Sequence, residues 1–294
     1  MVSRSDEGAV IMLVNLNTVI HDAYAKKYAV GSFNAYNYET VKGIIEAGIE
    51  TDKPVIVAFG AKYLENMSLE TVSALVKSMA ENIPLPVCLH LDHCSDMDTV
   101  FRAIKAGFGS VMYDGSGLPF EENAQNTKEI CRAAHACGIS VEAELGSLAS
   151  GSQSHEGQDS DQEAYTSPME AKLFVDMTKV DALAVSIGTV HGFYKGTPNI
   201  RIDILQDINE LARIPLVLHG GSGTPEETIE KCIRNGIAKI NVNTEISSYA
   251  VDQSAVLLSE KRPHFSVLSL KQSGYVKDVV KKYISCFGGM AAGS

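Results

Sequence analysis

Short, almost wholly apolar runs recur along the chain, each followed by a stretch whose apolar residues return every three to four positions. Eight such runs predict strands: 29–34, 54–59, 86–91, 108–113, 139–144, 181–187, 215–218 and 237–242. They are continuous rather than alternating, as expected of strands covered on both faces by helices. Helical patterns fill the intervals at 39–51, 69–80, 97–106, 121–136, 168–178, 204–212 and 225–235. In the first of these Val41, Ile44, Ile45 and Ile49 form one stripe. Gly138 and Gly236 sit where helices should stop, and Pro168 where one should start. A further helix, capped by Asn15 or Asn17 and running to about Lys27, precedes the first strand; Ile20 and Tyr24 sit at i, i+4. Helical pattern resumes after the last strand, over 244–260 and 271–284.

Eight strand–helix units predict an α/β fold, a single (β/α)8 TIM barrel over 1–294 with an extra N-terminal helix and C-terminal helices from about 244 to 294. A doubly wound open sheet is the competing architecture. The count of eight and the lack of a Gly-x-Gly-x-x-Gly turn after the first strand favour the barrel. One interval breaks the rhythm: 146–162 is rich in Gly, Ser, Asp and Gln and nearly free of apolar residues, which predicts a mobile surface loop. Residues 1–10 read as a frayed start.

Composition narrows the functional classes. With 45% hydrophobic and 21% charged residues the chain can bury a large core. A net charge of −11 offers no field for nucleic acid or an anionic membrane, though a small phosphorylated substrate needs only local donors. The six cysteines form no Cys-x-x-Cys pair, which fits reduced thiols and a cytoplasmic location. Cys94, beside His93, reads as a small buried hydrophobe. No apolar run reaches the roughly 20 residues that span a bilayer.

In a parallel barrel the active site lies where the strands end. Polar residues interrupt the apolar runs at that edge. Asp92 and His93 follow the third strand, Asp114 the fourth, and Glu142 and Glu144 close the fifth. His191 follows the sixth, His219 ends the seventh, and Asn241, Asn243 and Thr244 close the eighth. Three imidazoles with a position left open form a catalytic zinc pattern, with His93, His191 and His219 as ligands. Neighbouring strand residues point to opposite faces, so Asp92 is placed as an acid/base toward substrate rather than sharing the metal with His93; orienting a histidine ligand is the alternative. Asp114 and Glu144 read as partners of the ligands or as a second metal position. His90 reads as barrel interior, and His21, His135, His155 and His264 as surface. Gly220-Gly-Ser-Gly223 and the Asn241–Thr244 segment follow the two strands whose loops often bind phosphate in such barrels.

These motifs resemble those of the class II, metal-dependent ketose-bisphosphate aldolases: His-Leu-Asp-His at 90–93, Ser-Val-Met-Tyr-Asp-Gly-Ser at 110–116, Val-Glu-Ala-Glu-Leu-Gly at 141–146, Gly-Thr-Val-His-Gly at 188–192, Val-Leu-His-Gly-Gly-Ser-Gly at 217–223 and Lys-Ile-Asn-Val-Asn-Thr-Glu at 239–245. The resemblance implies reversible cleavage of fructose- or tagatose-1,6-bisphosphate to dihydroxyacetone phosphate and an aldehyde such as glyceraldehyde 3-phosphate. It implies Asp92 as acid/base, Zn2+ on His93, His191 and His219, and a second divalent position at Glu144 with Asp114. Gly192, Gly220, Gly221, Ser222, Asn241, Asn243 and Thr244 would hold the phosphate and hydroxyls, with Na+ or K+ nearby, in a homodimer or homotetramer. Loop 146–162 would be the mobile active-site loop. One departure stands out. Many relatives carry an Asp-Pro-Arg or Glu-Pro-Arg segment shortly after the eighth-strand helix, whose arginine helps bind the distal phosphate; here the corresponding region reads Arg262-Pro-His-Phe-Ser-Val-Leu-Ser-Leu270, with no such segment. A ketose 1-phosphate lacking the distal phosphate, a non-catalytic accessory subunit of an aldolase complex, and another zinc barrel hydrolase are the alternatives; the last would need a His-x-His at the first strand, where Ser32-Phe-Asn34 stands.

Overall fold

In the computed structural model of the chain, residues 13–154, 164–194, 196 and 199–288 are described. The expectations for residues 1–10, for the 155–162 part of the polar loop and for His155 lie outside them. Eight parallel strands close into a barrel: β1 (Val30–Asn34), β2 (Val55–Gly60), β3 (Val87–Asp92), β4 (Ser110–Tyr113), β5 (Ser140–Leu145), β6 (Ala182–Val185), β7 (Leu216–Leu218) and β8 (Ile237–Val242). Each pairs with its sequence neighbour, and β1 closes onto β8. Among the described residues ten α-helices accompany them: α1 (Leu16–Lys26), α2 (Tyr38–Thr51), α3 (Leu69–Ala80), α4 (Met97–Ala106), α5 (Phe120–Ala136), α6 (Pro168–Thr178), α7 (Ile202–Ala212), α8 (Glu226–Arg234), α9 (Thr244–Glu260) and α10 (Phe265–Phe287). The architecture is the (β/α)8 TIM barrel the pattern predicts. Among the described residues no helix is long and apolar enough to cross a membrane.

The period of two along each strand sorts the core into two clusters. Outward residues such as Phe33, Val57, Phe59, Leu89, Leu91, Val111, Leu183 and Ile240 pack against the helices. Inward residues near the strand starts, Val30, Ile56, Cys88, Ala182, Ala184, Val217 and Ala238, meet Leu16, Val19, Ile20 and Ala23 of α1. The added N-terminal helix therefore closes one end of the barrel. Asn15 sets its start by accepting a bond from the Thr18 backbone N–H.

A bulge in β8 prepares the other end. Ile237 pairs with Leu216 and Lys239 with Val217, so Ala238 is an extra residue. Ala238 joins the apolar plug and Lys239 also turns inward, where it is fully buried. Without the extra residue, alternation would have sent Lys239 outward into the helix layer.

Several boundaries differ from the sequence pattern. The sixth strand stops at Val185 rather than at Ile187. The last helix starts at Phe265 rather than near Lys271, with His264 as its N-cap. Phe265 is 79% exposed and Leu270 62% exposed, so no buried stripe marked that first turn and a half. Part of the polar loop is ordered: Ala149–Ser150 pairs in parallel with Val190–His191, and Ser152 bridges Phe193.

Candidate active site

Asp92 is the last residue of β3 and is completely buried at the barrel mouth. Two amide side chains hold it. Asn34 Nδ2 donates to Oδ2 and Asn241 Nδ2 to Oδ1, each at 3.0 Å. Burial acts to raise its carboxyl, but His93, Lys239, His219 and His90 outweigh that and hold it below the ordinary carboxylate range. His93 does not follow the alternation expected of it. Its φ of +41° takes the chain out of the strand, so the opposite-face argument fails there. Asp92 and His93 separate through this left-handed turn, not through the pleat.

The turn delivers His93 to His191 and His219. Their ring centroids lie 5.0 Å (93–191), 4.4 Å (93–219) and 5.9 Å (191–219) apart, and one ring nitrogen from each falls within 4.8 Å of the others. His191 is positioned by its short pairing with Ser150, and His219 is the first residue after β7. His93, Asp114 and Glu144 form a second group on the same distance criterion, with His93 common to both. All five predicted ligand residues are thus brought together.

His219 shows what the cluster is built for. Its Nε2 lies 3.0 Å from Glu142 Oε1. A carboxylate only accepts, so Nε2 carries the hydrogen and Nδ1 presents a lone pair to the cluster. His93 Nε2, His219 Nδ1 and Glu144 Oε2 are buried with no hydrogen-bond partner among the described residues. Such atoms each cost about 1–3 kcal/mol when nothing answers them. Three convergent imidazoles with lone pairs fit a divalent metal with an open coordination position. The field agrees. His93 is pushed up to about 10, against the effect of burial, by Asp92, Asp114 and Glu144. Burial, reinforced by Asp114, raises Glu144 well above the ordinary carboxyl. The negative field of Asp92 and Asp114 that draws a proton to His93 also favours a cation there.

Beneath this layer lies a network the sequence reading missed. Lys239 Nζ is 2.9 Å from Glu142 Oε2 and donates to Asn241 Oδ1 at 2.7 Å. Glu142 therefore ties Lys239 to His219, and Asn241 ties it to Asp92. His90 Nδ1 pairs with Ser110 Oγ at 2.9 Å, and burial pulls its imidazole down to about 4. It occupies the interior position expected of it. His21, His135 and His264 are exposed, as expected, but His135 also bonds Asp181 at 2.8 Å.

The predicted phosphate residues divide. Gly192, Gly220, Gly221 and Ser222 lie in the loops after β6 and β7, beside the start of α9. A Cβ on Gly220 (φ +71°) would sit 2.2 Å from the Val190 carbonyl, and one on Gly192 (φ +96°) 2.5 Å from that of Ser152, so both positions require glycine. Ser222 Oγ accepts from the Glu245 backbone N–H at 3.3 Å, fixing the glycine loop against the helix N-terminus. Thr244 opens α9 and Asn243 stands at its N-cap, with Nδ2 donating to the Tyr63 hydroxyl at 3.0 Å. Asn241 instead faces inward, to Asp92.

The family model described as fructose-bisphosphate aldolase class-II matches residues 14–291. The chain belongs to this family. A relative from Alkalicoccus urumqiensis named sulfofructosephosphate aldolase is 39% identical over 273 residues, covering 92% of this chain and 95% of that protein. The crystal structure of the YdjI aldolase from Escherichia coli K12 superposes with a TM-score of 0.84 at 36% identity, covering 96% of this chain and 100% of that one. A fructose-bisphosphate aldolase from Campylobacter jejuni, 20% identical, shares the fold with a TM-score of 0.79 over 93% of this chain and 94% of its own. A class II aldolase is a lyase, and the cluster described above stands at the end of the barrel where this fold does its chemistry.

Proposed function

We propose that this family member is a metal-dependent aldolase that cleaves a ketose 1-phosphate between C3 and C4, yielding dihydroxyacetone phosphate and an aldehyde, and that runs the reverse condensation. The observation that carries the reading is the convergence of His93, His191 and His219 within 4.8 Å, next to a buried carboxylate held by two amides. Those three residues would hold zinc, with Asp114 and Glu144 as a second position for a divalent ion. When bound there, a divalent metal supplies stabilisation of negative charge on oxygen.

The chain's own groups do the rest. Asp92 takes the proton of the C4 hydroxyl as the C3–C4 bond breaks; the electron pair of that bond passes to C3, giving the enediolate of dihydroxyacetone phosphate, while C4 becomes the aldehyde. Asn34 and Asn241 keep the Asp92 carboxylate in one orientation and leave each oxygen a further lone pair. The glycine loop after β7 and the first turn of α9 offer N–H and hydroxyl donors to the C1 phosphate. A monovalent cation, Na+ or K+, belongs to the same reading through the family resemblance.

Fructose- or tagatose-1,6-bisphosphate is one substrate reading. A ketose 1-phosphate with another distal group is favoured by the lack of an Asp-Pro-Arg or Glu-Pro-Arg segment in 262–270 and by the name of the Alkalicoccus relative, a sulfofructosephosphate aldolase 39% identical to this chain. Release of dihydroxyacetone phosphate from ketose 1-phosphates tests the activity. Cleavage that stops on chelation, returns with zinc, and leaves no borohydride-trapped adduct supports the reading. Activity that survives metal stripping, or a trapped Schiff base, contradicts it.

A further inference from the structure

The last helix reaches the loop that the reading above gives to the C1 phosphate. One face of α10 is buried, formed by Val276, Val279, Val280, Tyr283, Ile284 and Phe287. Tyr283 alone among these six side chains carries a polar atom. Its ring leans on Phe287, with centroids 5.5 Å apart. Its hydroxyl accepts from the Gly223 backbone N–H at 3.3 Å and donates to Glu245 Oε2, in the first turn of α9. A phenol has one hydrogen and a carboxylate only accepts, so the two roles of the hydroxyl are fixed.

The contact falls where the chain most needs support. A loop with three glycines in four residues gives up much conformational freedom when it is held still. Its first residues are tied to nearby backbone and side chains. The Gly221 N–H donates to the Asn241 carbonyl at 2.9 Å, Thr224 Oγ1 donates to the Gly220 carbonyl at 3.1 Å, and Ser222 Oγ accepts from the Glu245 N–H at 3.3 Å. Gly223, with φ +73°, is tied instead to Tyr283, sixty residues along the chain. The same hydroxyl restrains Glu245. This carboxylate stands at the helix N-terminus offered to the phosphate, and Tyr283 together with Lys282, whose Nζ lies 2.7 Å from Oε1, holds it toward α10. Released from them, it would compete with a phosphate for the positive helix end.

We propose that Tyr283 is a positioning residue for phosphate binding: its hydroxyl sets the glycine loop and keeps Glu245 toward α10, so that the cradle for the C1 phosphate is formed before substrate arrives. This role rests on the aldolase reading above, which gives the loop its phosphate, and adds to it a residue of the C-terminal helix. A cradle formed in advance lowers the ordering cost of binding. It leaves the three histidines and Asp92 untouched.

Tyr283→Phe removes one oxygen and keeps the ring. In the metal-loaded protein it should raise KM for whichever ketose 1-phosphate is cleaved, and the inhibition constant of inorganic phosphate, each by about three- to tenfold, the scale of one or two lost hydrogen bonds. Turnover should stay within about twofold, because the lost contact serves ground state and transition state alike. Val280→Ala, one turn earlier on the same buried face, removes packing and leaves the hydroxyl. It should lower Tm and leave both constants unchanged at a temperature where the variant is folded. Constants unmoved by Tyr283→Phe, a fall in kcat in place of the rise in KM, or an equal rise in Val280→Ala overturns the role of Tyr283 while leaving the aldolase reading intact. If the unaltered protein cleaves no ketose 1-phosphate, both fall.

Discussion

The two ends of the barrel interior are built from the same strands and behave oppositely. Near the strand starts, Val30, Ile56, Cys88, Ala184 and Val217 form an apolar layer closed by Leu16, Val19, Ile20 and Ala23. Nearer the barrel mouth, in the next inward layer, stand Ser32, His90, Glu142, His219 and Lys239, all fully buried. One layer gains stability by removing carbon from water. The other buries charge, which is costly unless every group is answered. Its answers are partly internal, as in Lys239–Glu142–His219, and partly open, as at His93 Nε2 and Glu144 Oε2. The fold stores its stability at the closed end and its reactivity at the open one.

Replacing Lys239 breaks the comparison most sharply. Lys239→Met leaves Glu142 buried and uncompensated, which should cost about 3–5 kcal/mol in chemical denaturation. Adding Glu142→Gln should recover part of that loss. Because Glu142 orients His219, the double variant should still bind zinc about 10- to 100-fold more weakly in a competition titration. Recovery of stability together with native metal affinity would show that the network does not position the ligand.

At the closed end, Ile20→Ala opens a cavity in the α1 plug and should cost about 2–5 kcal/mol without changing the cleavage rate at a temperature where the variant is folded. A fall in kcat there would mean the two layers are coupled. The smallest effect lies outside the barrel, where Glu50 of α2 bonds Lys277 and Lys281 of α10 at 2.6 and 2.7 Å. Hydrogen bonds from Lys277 and Lys281 pull Glu50 down to about 2. A depressed carboxyl contributes stability above its unfolded value, roughly 4.3, and loses that contribution as pH falls toward 2. Glu50→Gln should slightly flatten the dependence of Tm on pH across that window at low salt; an unchanged profile would mean the pair contributes nothing measurable.

Much of the open end was legible in the sequence because polar residues at the ends of apolar runs have few other reasons to be there. Asp92, His93, Asp114, Glu144, His191 and His219 declared themselves in this way, and the eight-fold pattern placed them on one rim. What stayed hidden depended on backbone departures from ideal periods. Lys239 sits in an apolar run and reads as outward until the bulge at Ala238 turns it inward. His93 reads as the opposite face of Asp92 until its left-handed φ takes it off the strand. Asn34 ends β1 with nothing in its own neighbourhood to mark it, because its partner lies 58 residues away. The start of α10 was invisible for the opposite reason: its first apolar residues are solvated, so periodicity carried no burial signal.

The measurement that reaches furthest into the account is Asp92→Asn, assayed for bound zinc and for ketose 1-phosphate cleavage in the same preparation. The substitution keeps the shape of the side chain and removes its capacity to take the C4 proton. The account predicts about one zinc per chain, as in the unaltered protein, and a loss in kcat of about 10²- to 10⁴-fold. Turnover within a few-fold of the unaltered enzyme, or loss of the metal along with the activity, would contradict the division of labour between Asp92 and the three histidines.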